Sequence, residues 1–253
     1  MLKHILGGIK AYSGTFRLIA TLRLWKYFWI PIIISLLTAA LIITAAYSLS
    51  DAIGLFISQA WVWEWGKETF TVISEILGGL LILLLGFILY KHIVMALSAP
   101  FMSPVSEKIE EHLLGKSNHN HRKTSFMEQL WRGIRINLRN LSMELLLTLP
   151  ILLLGLIPVI GVVATLLLFA VQAYYAGFGN MDYTLERHLK YKDSLLFVRK
   201  NKGTAIGNGI VFMLFLFIPV LGVILVLPLS VTAAAVKTVE LLEAENKIAR
   251  VPN

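Results

Sequence analysis

The chain has no cysteine, so neither a disulfide nor a thiolate ligand or nucleophile can contribute to its fold or chemistry. Charge is scarce too: 15% of residues are Asp, Glu, Lys or Arg, against about 25% in soluble domains. The first fifty residues carry no acidic side chain at all. A complete Gly-x-x-x-x-Gly-Lys-Ser/Thr phosphate loop is absent, because Gly115-Lys116-Ser117 has Glu110 where the leading glycine would stand. Direct drive by ATP held in such a loop is therefore excluded. What is present is apolar. Hydrophobic residues make up 57% of the 253, with a mean hydropathy of +0.75. These values predict an all-α integral membrane protein, folded as one membrane domain over residues 1–253. The net charge of +8 flanks the apolar runs, which fits topology control and anionic lipid rather than nucleic acid.

Residues 1–26 place Ile5, Leu6, Ile9, Tyr12, Phe16 and Ile19 at three- and four-residue spacing between Lys3, Lys10 and Arg17, an amphipathic helix for the membrane surface. The segment is too weakly apolar for a signal peptide. Residues 27–50 and 70–97 each reach the roughly 20 apolar residues a spanning helix needs. Trp61, Trp63 and Trp65 between them predict an interfacial belt. Glu75, Lys91 and His92 are the ionisable groups of the second run, and Glu75 and Lys91 are expected at opposite interfaces. Ser98-Ala99-Pro100-Phe101 is expected to end that helix, with a short one starting at Ser103-Pro104 and stopping at Gly115. His119 and His121 in the following polar loop are a weak metal pattern, and no metal or cofactor is expected.

From Phe126 to Leu145 one apolar stripe runs beside Arg132, Arg135 and Arg139. Two readings stay open: a surface helix with arginines reaching for headgroups, or a cationic wall along an anion path.

The chain then uses one motif twice. Ile157-Pro158-Val159-x-Gly161 recurs as Ile218-Pro219-Val220-x-Gly222, each inside an apolar run. Proline cannot continue a helix without losing a hydrogen bond, and glycine tolerates a tight turn. The runs overshoot one hydrocarbon core and fall short of two. The basic linker between them, with Arg187, Lys190, Lys192, Arg199, Lys200 and Lys202, belongs on the cytoplasmic side by the positive-inside rule. Residues 145–178 and 206–237 are therefore expected to be half-penetrating re-entrant hairpins with Pro158, Gly161, Pro219 and Gly222 at their turns. Both termini are then cytoplasmic. Backbone freed at such turns must be buried in protein or line a wet cavity. Two spans are thin cover for that, so a homo-oligomer is expected.

Ser98-Ala99-Pro100-Phe101, the Glu-rich helix ending in Leu-Leu-Gly, the Ile157-Pro158-x-Ile160-Gly161 turn, Asp182-Tyr183 with His188 downstream, and Ile218-Pro219 follow one another in an order that resembles the bacterial CysZ-type sulfate permeases. That family also contains the etoposide-induced membrane proteins. The resemblance implies two spanning helices with two half-penetrating hairpins, multimeric assembly in the bacterial inner membrane, and sulfate uptake feeding cysteine synthesis. It also implies an anion site at a Gly-Leu-Arg type segment before the first span. Here that segment reads Thr21-Leu22-Arg23-Leu24-Trp25-Lys26. Aligned on Pro31, Lys26 takes the second basic position and Trp25 stands for the first arginine; Arg23 matches in a shifted register.

The leading expectation is thus a permease or channel for a small oxyanion such as sulfate, bound by Arg23 and Lys26 with Arg132, Arg135 or Arg139 completing the shell. The alternative is a non-transporting membrane scaffold. An enzyme would need Asp182, Glu186 and His188 to act, but no nucleophile–base–oxyanion set accompanies them.

Overall fold

The computed structural model describes residues 1–115, 124–155, 157–218 and 221–248. Among these all regular structure is helical: α1 Leu2–Lys10, α2 Thr15–Thr21, α3 Trp25–Ser58, α4 Lys67–Leu114, α5 Phe126–Gly155, α6 Pro158–His188, α7 Tyr191–Lys200, α8 Lys202–Leu216 and α9 Leu221–Ala244. Five of them (α3, α4, α5, α6 and α9) are long and apolar enough to cross a membrane. His119 and His121 lie outside the described residues.

Three antiparallel pairs organise the chain. In the first, Gly54 meets Glu75, Ser50 meets Gly78 and Ile42 meets Gly86. These sums of residue numbers are nearly constant, the mark of two antiparallel helices folded about the Trp-rich turn. In the second, Arg132 of α5 bonds Asp182 of α6, and Gly155 lies on Gly161. In the third, Asn208 of α8 bonds Ser230 of α9, and Phe215 lies on Gly222. The first copy of the repeated motif sits at the turn between α5 and α6, as the proline and glycine chemistry predicts, and Ile218 and Gly222 of the second lie between the body of α8 and that of α9. At the first, Ile157 is extended (ψ 117) and Pro158 opens α6, where its missing N–H costs nothing. Pro219 lies outside the described residues.

Several boundaries differ from the sequence expectation. The first apolar helix extends to Ser58, and the second does not break at Ser98-Ala99-Pro100-Phe101. It runs unbroken through Pro100 and Pro104 to Leu114, 48 residues or about 72 Å. Pro100 leaves the carbonyl of Ala96 without its helical partner. Gly133 of α5 packs onto that oxygen so closely that a Cβ would stand 2.9 Å from it, so the neighbouring helix covers the defect. Pro150 likewise fails to end α5. The arms of the first hairpin are consequently much longer than residues 145–178.

Glycine sets how closely the pairs approach. A Cβ on Gly177 would lie 1.8 Å from the carbonyl oxygen of Ala205, and one on Gly209 would lie 1.7 Å from that of Ala173. These two contacts clamp α6 to α8 backbone to backbone, the small-residue packing used inside membranes. The N-terminal arm docks the same way, with Gly8 against Thr204 and Asn208, and Gly207 against Ile5.

Gly209→Val should part α6 from α8 and cost at least about 1–3 kcal/mol. Gly79→Ala, where the nearest atom is Ser50 Cβ at 3.5 Å, should be tolerated. Thermal denaturation in detergent compares them, and equal midpoints would refute the clamp.

Candidate functional site

The basic turn before the first long helix is built by the cap of α2. Leu24 N–H donates to the carbonyl of Ile19 (2.9 Å) and Arg23 N–H to that of Ala20 (3.1 Å). With Ile19 and Leu24 fully buried against each other's cluster, this is the six-residue Schellman closure with its hydrophobic contact. Its left-handed position, normally glycine, is Arg23 at φ 51. That backbone state costs a non-glycine residue about 1 kcal/mol or more. The side chain is held outward and exposed. Lys26, one turn on, is also exposed and lies 5.2 Å from the Tyr27 ring centre.

The turn is fixed from below. Tyr12, between α1 and α2, donates to the Asn208 carbonyl at 2.8 Å and shares a hydrogen bond with the Ser230 hydroxyl at 2.7 Å. Asn180 of α6 donates to Asn208 Oδ1 at 2.9 Å, and Asn208 Nδ2 to the Ser230 carbonyl at 3.0 Å. Burial pushes the Tyr12 phenol far above its ordinary pKa, and Ser230 only partly offsets this. It therefore stays a neutral donor. This knot joins the N-terminal arm to both hairpins.

The three arginines expected to act together are spread over different tasks. Arg132 forms a fork with Asp182 (Nη2–Oδ1 2.8 Å, Nε–Oδ2 2.9 Å) and also donates to the Leu189 carbonyl and Ser194 Oγ. Arg135 lies over the Tyr191 ring at 4.1 Å. Arg139 lies over Phe178 at 5.5 Å and donates to Asn140 Oδ1 at 3.0 Å. Glu128 caps the start of α5 in a capping box, in which Ser125 N–H donates to Glu128 Oε2 at 2.8 Å.

Lys91 and His92 do not reach for an interface. They are 1% and 3% exposed and converge on Glu144 of α5, with Lys91 Nζ–Oε1 2.7 Å and His92 Nε2–Oε2 3.1 Å. A buried charge is tolerated only when paired and hydrogen-bonded, and Glu144 supplies both bonds. The sequence reading missed this carboxylate. Its signal is its isolation, since it is the only acidic residue between Glu128 and Asp182, directly before Leu145-Leu146-Leu147. At the start of the basic linker Arg187 is buried and His188 half-buried. Arg187 donates to Glu110 Oε2 at 2.8 Å, and His188 lies 2.9 Å from Glu110 Oε1. Among the described residues no group of three or more His, Cys, Asp or Glu side chains is placed to hold a metal.

Two comparisons bear on what this arrangement is for. Residues 11–227 match the family described as "Sulfate transporter CysZ/Etoposide-induced protein 2.4". The chain belongs to that family. It is also 29% identical over 140 residues to the sulfate transporter CysZ of Vibrio parahaemolyticus serotype O3:K6 (strain RIMD 2210633), an alignment covering 54% of this chain and 56% of that protein. The chain thus spans about half the length of the curated relative it matches. The family description names a transporter and no enzyme, and the matched stretch takes in the basic turn, the buried ion pairs and both hairpin turns.

Glu144→Gln should leave Lys91 buried without its counter-charge and destabilise the fold by about 3–5 kcal/mol, whereas Lys91→Met with Glu144→Leu should recover most of that loss. Thermal midpoints in nanodiscs decide. If single and double variants melt alike, the pair is not what holds α4 to α5.

Proposed function

We propose that this protein is a permease for a small tetrahedral oxyanion, with sulfate the leading solute, in a bacterial inner membrane. The observation that carries the reading is the exposed Arg23–Lys26 turn at the head of the first long helix, in a chain of the sulfate transporter CysZ/etoposide-induced protein 2.4 family. Arginine and lysine in a strained but well-tied turn give an oxyanion two charge-assisted contacts without side-chain reorganisation. Arg135 and Arg139, stacked on aromatic rings, keep in-plane N–H edges for a passing anion. Arg132 would first have to leave Asp182. A non-transporting scaffold has no comparable support.

In the proposed topology α3 and α4 cross the bilayer, and the two hairpins enter it and return. The α5, α6 and α9 arms are long enough overall to cross, but the uncharged stretches of three arms are short. The apolar part of α5 after Glu144 is 11 residues, about 16 Å, and that of α6 before Gln172 is 14, about 21 Å. The whole of α8 is 15 residues, about 22 Å. Each falls short of a hydrocarbon core of about 30 Å. The first tip is apolar and exposed, with Leu153 at 67%, Val162 at 70% and Leu166 at 67%. Such a surface needs lipid or further copies of the chain around it, which supports a homo-oligomer. The basic pole and both termini then face the cytoplasm, and residues 1–253 form one membrane domain.

Radiolabelled sulfate flux into proteoliposomes tests the solute. Arg23→Gly is an informative variant because the cap prefers glycine there, so the fold should survive. Together with Lys26→Ala it should lower flux at low sulfate at least about tenfold, the worth of one charge-assisted contact. Wild-type flux no greater than that of empty vesicles would sink the sulfate reading, and unchanged flux in the double variant would move the site elsewhere.

Topology has its own test. Single cysteines in place of the exposed Trp63 and Asp193 start from a cysteine-free background. An impermeant maleimide on intact spheroplasts should label the first and spare the second. External labelling at residue 193 overturns the hairpin topology.

A further inference from the structure

At the pole carrying the N-terminal end of α5 and the C-terminal end of α6 there is a cleft of about 220 Å³. Its walls include Trp131, Arg135, Lys190 and Tyr191, and Glu186 lines it as well. The electrostatics are mixed. Arg135 and Lys190 are exposed cations at the rim. Glu186 is 2% exposed. Its Oε1 is buried without a hydrogen-bond partner. An orphaned buried carboxylate oxygen costs more than an exposed one and calls for a donor. Of the two arginines beside it, Arg187 is engaged with Glu110 and Arg132 with Asp182.

A plain anion would meet the rim cations and then the Glu186 carboxylate; a plain cation would meet them in the reverse order. A ligand bearing both an anionic group and a primary ammonium satisfies the two halves at once. The cleft also opens onto an apolar edge. On α5, Met127 and Trp131 (both 67% exposed), Leu138 (62%), Leu149 (62%) and Leu153 (67%) make one uncovered stripe. It runs from the cleft to the first hairpin tip. A ligand with acyl chains can lay them along that stripe, whereas a soluble zwitterion gains nothing from it. Tryptophan at the mouth suits the depth of lipid headgroups.

We propose that the cleft is a headgroup site for a phosphatidylethanolamine-type lipid, with the phosphate on Arg135 and Lys190, the ammonium on Glu186, and the chains on the α5 stripe. The site is separate from the basic turn before α3 and shares only Arg135 with the proposed anion path.

Native mass spectrometry of the full chain, delipidated and then exposed to equal mixtures of phosphatidylethanolamine, phosphatidylcholine and phosphatidylglycerol, tests this. Phosphatidylethanolamine should be retained about tenfold over each of the others, the worth of one charge-assisted hydrogen bond. Choline cannot donate to Glu186 and glycerol brings no cation. Glu186→Gln should bring that preference close to unity. Lys190→Gln should weaken retention of all three lipids alike, and it keeps the test open if the buried variant fails to fold. Equal retention of phosphatidylglycerol by wild type would reduce the cleft to a general anionic-lipid surface and overturn the proposal. So would equal retention of phosphatidylcholine, or displacement of bound lipid by soluble O-phosphoethanolamine at matching concentration. Wild-type sulfate flux no greater than that of empty vesicles, with the lipid preference intact, would count against the permease reading alone.

Discussion

A charge taken out of water must be met by an opposite charge or a full set of hydrogen bonds, and the basic pole of this molecule is assembled around that requirement. Lys91 and His92 bring α4 to Glu144 of α5; Arg132 brings α5 to Asp182 of α6; Arg187 and His188 bring α6 back to Glu110 of α4. The three ties close a ring among three helices. None of the helices could occupy another register without stranding a buried ion. Apolar burial favours compaction, while the ion ring selects one arrangement of it.

At the apolar end the constraint is different, because lipid competes with protein for every apolar side chain. Helices there are held by closeness of approach instead, through glycines that let backbones touch at Gly177 and Gly209 and that seat the Ile42 side chain at Gly86. The prolines divide by location. Pro100, Pro104 and Pro150 lie inside continuous helices. Pro158 stands at a helix start, where it ends one arm and begins the next.

Much of this was legible in the sequence. The apolar runs form long helices, the Trp-rich segment turns the chain between α3 and α4, the first Ile157-Pro158-Val159-x-Gly161 stands at the turn between α5 and α6, and the family resemblance drawn from short motifs holds over residues 11–227. Helix continuity was less legible. Ser-Ala-Pro-Phe has the local chemistry of a helix end, and only a distant residue, Gly133 against the Ala96 carbonyl, makes the helix worth continuing. Ion pairing was least legible. Arg132 has Glu128 four residues before it, yet its partner is fifty residues away, and Glu144 pairs fifty-three residues back along the chain. Local spacing sees neighbours along one helix; it cannot see which helices a hairpin will bring together. The basic turn was found by its charge, but its backbone strain was visible only in the folded cap.

The Tyr12 knot has a mechanical consequence. One phenol bonds both helices of the second hairpin and stands eleven residues before Arg23, at the start of the same short arm. Displacement of the Asn208–Ser230 crossing therefore pulls on the loop that ends in the cationic turn. Linkage is reciprocal: an ion that prefers one setting of that turn biases the tilt of the hairpin by the same free energy with which the tilt biases the ion. The arm is a lever with its fulcrum at residue 12, which makes the position of that crossing and the setting of the cationic turn one mechanical variable.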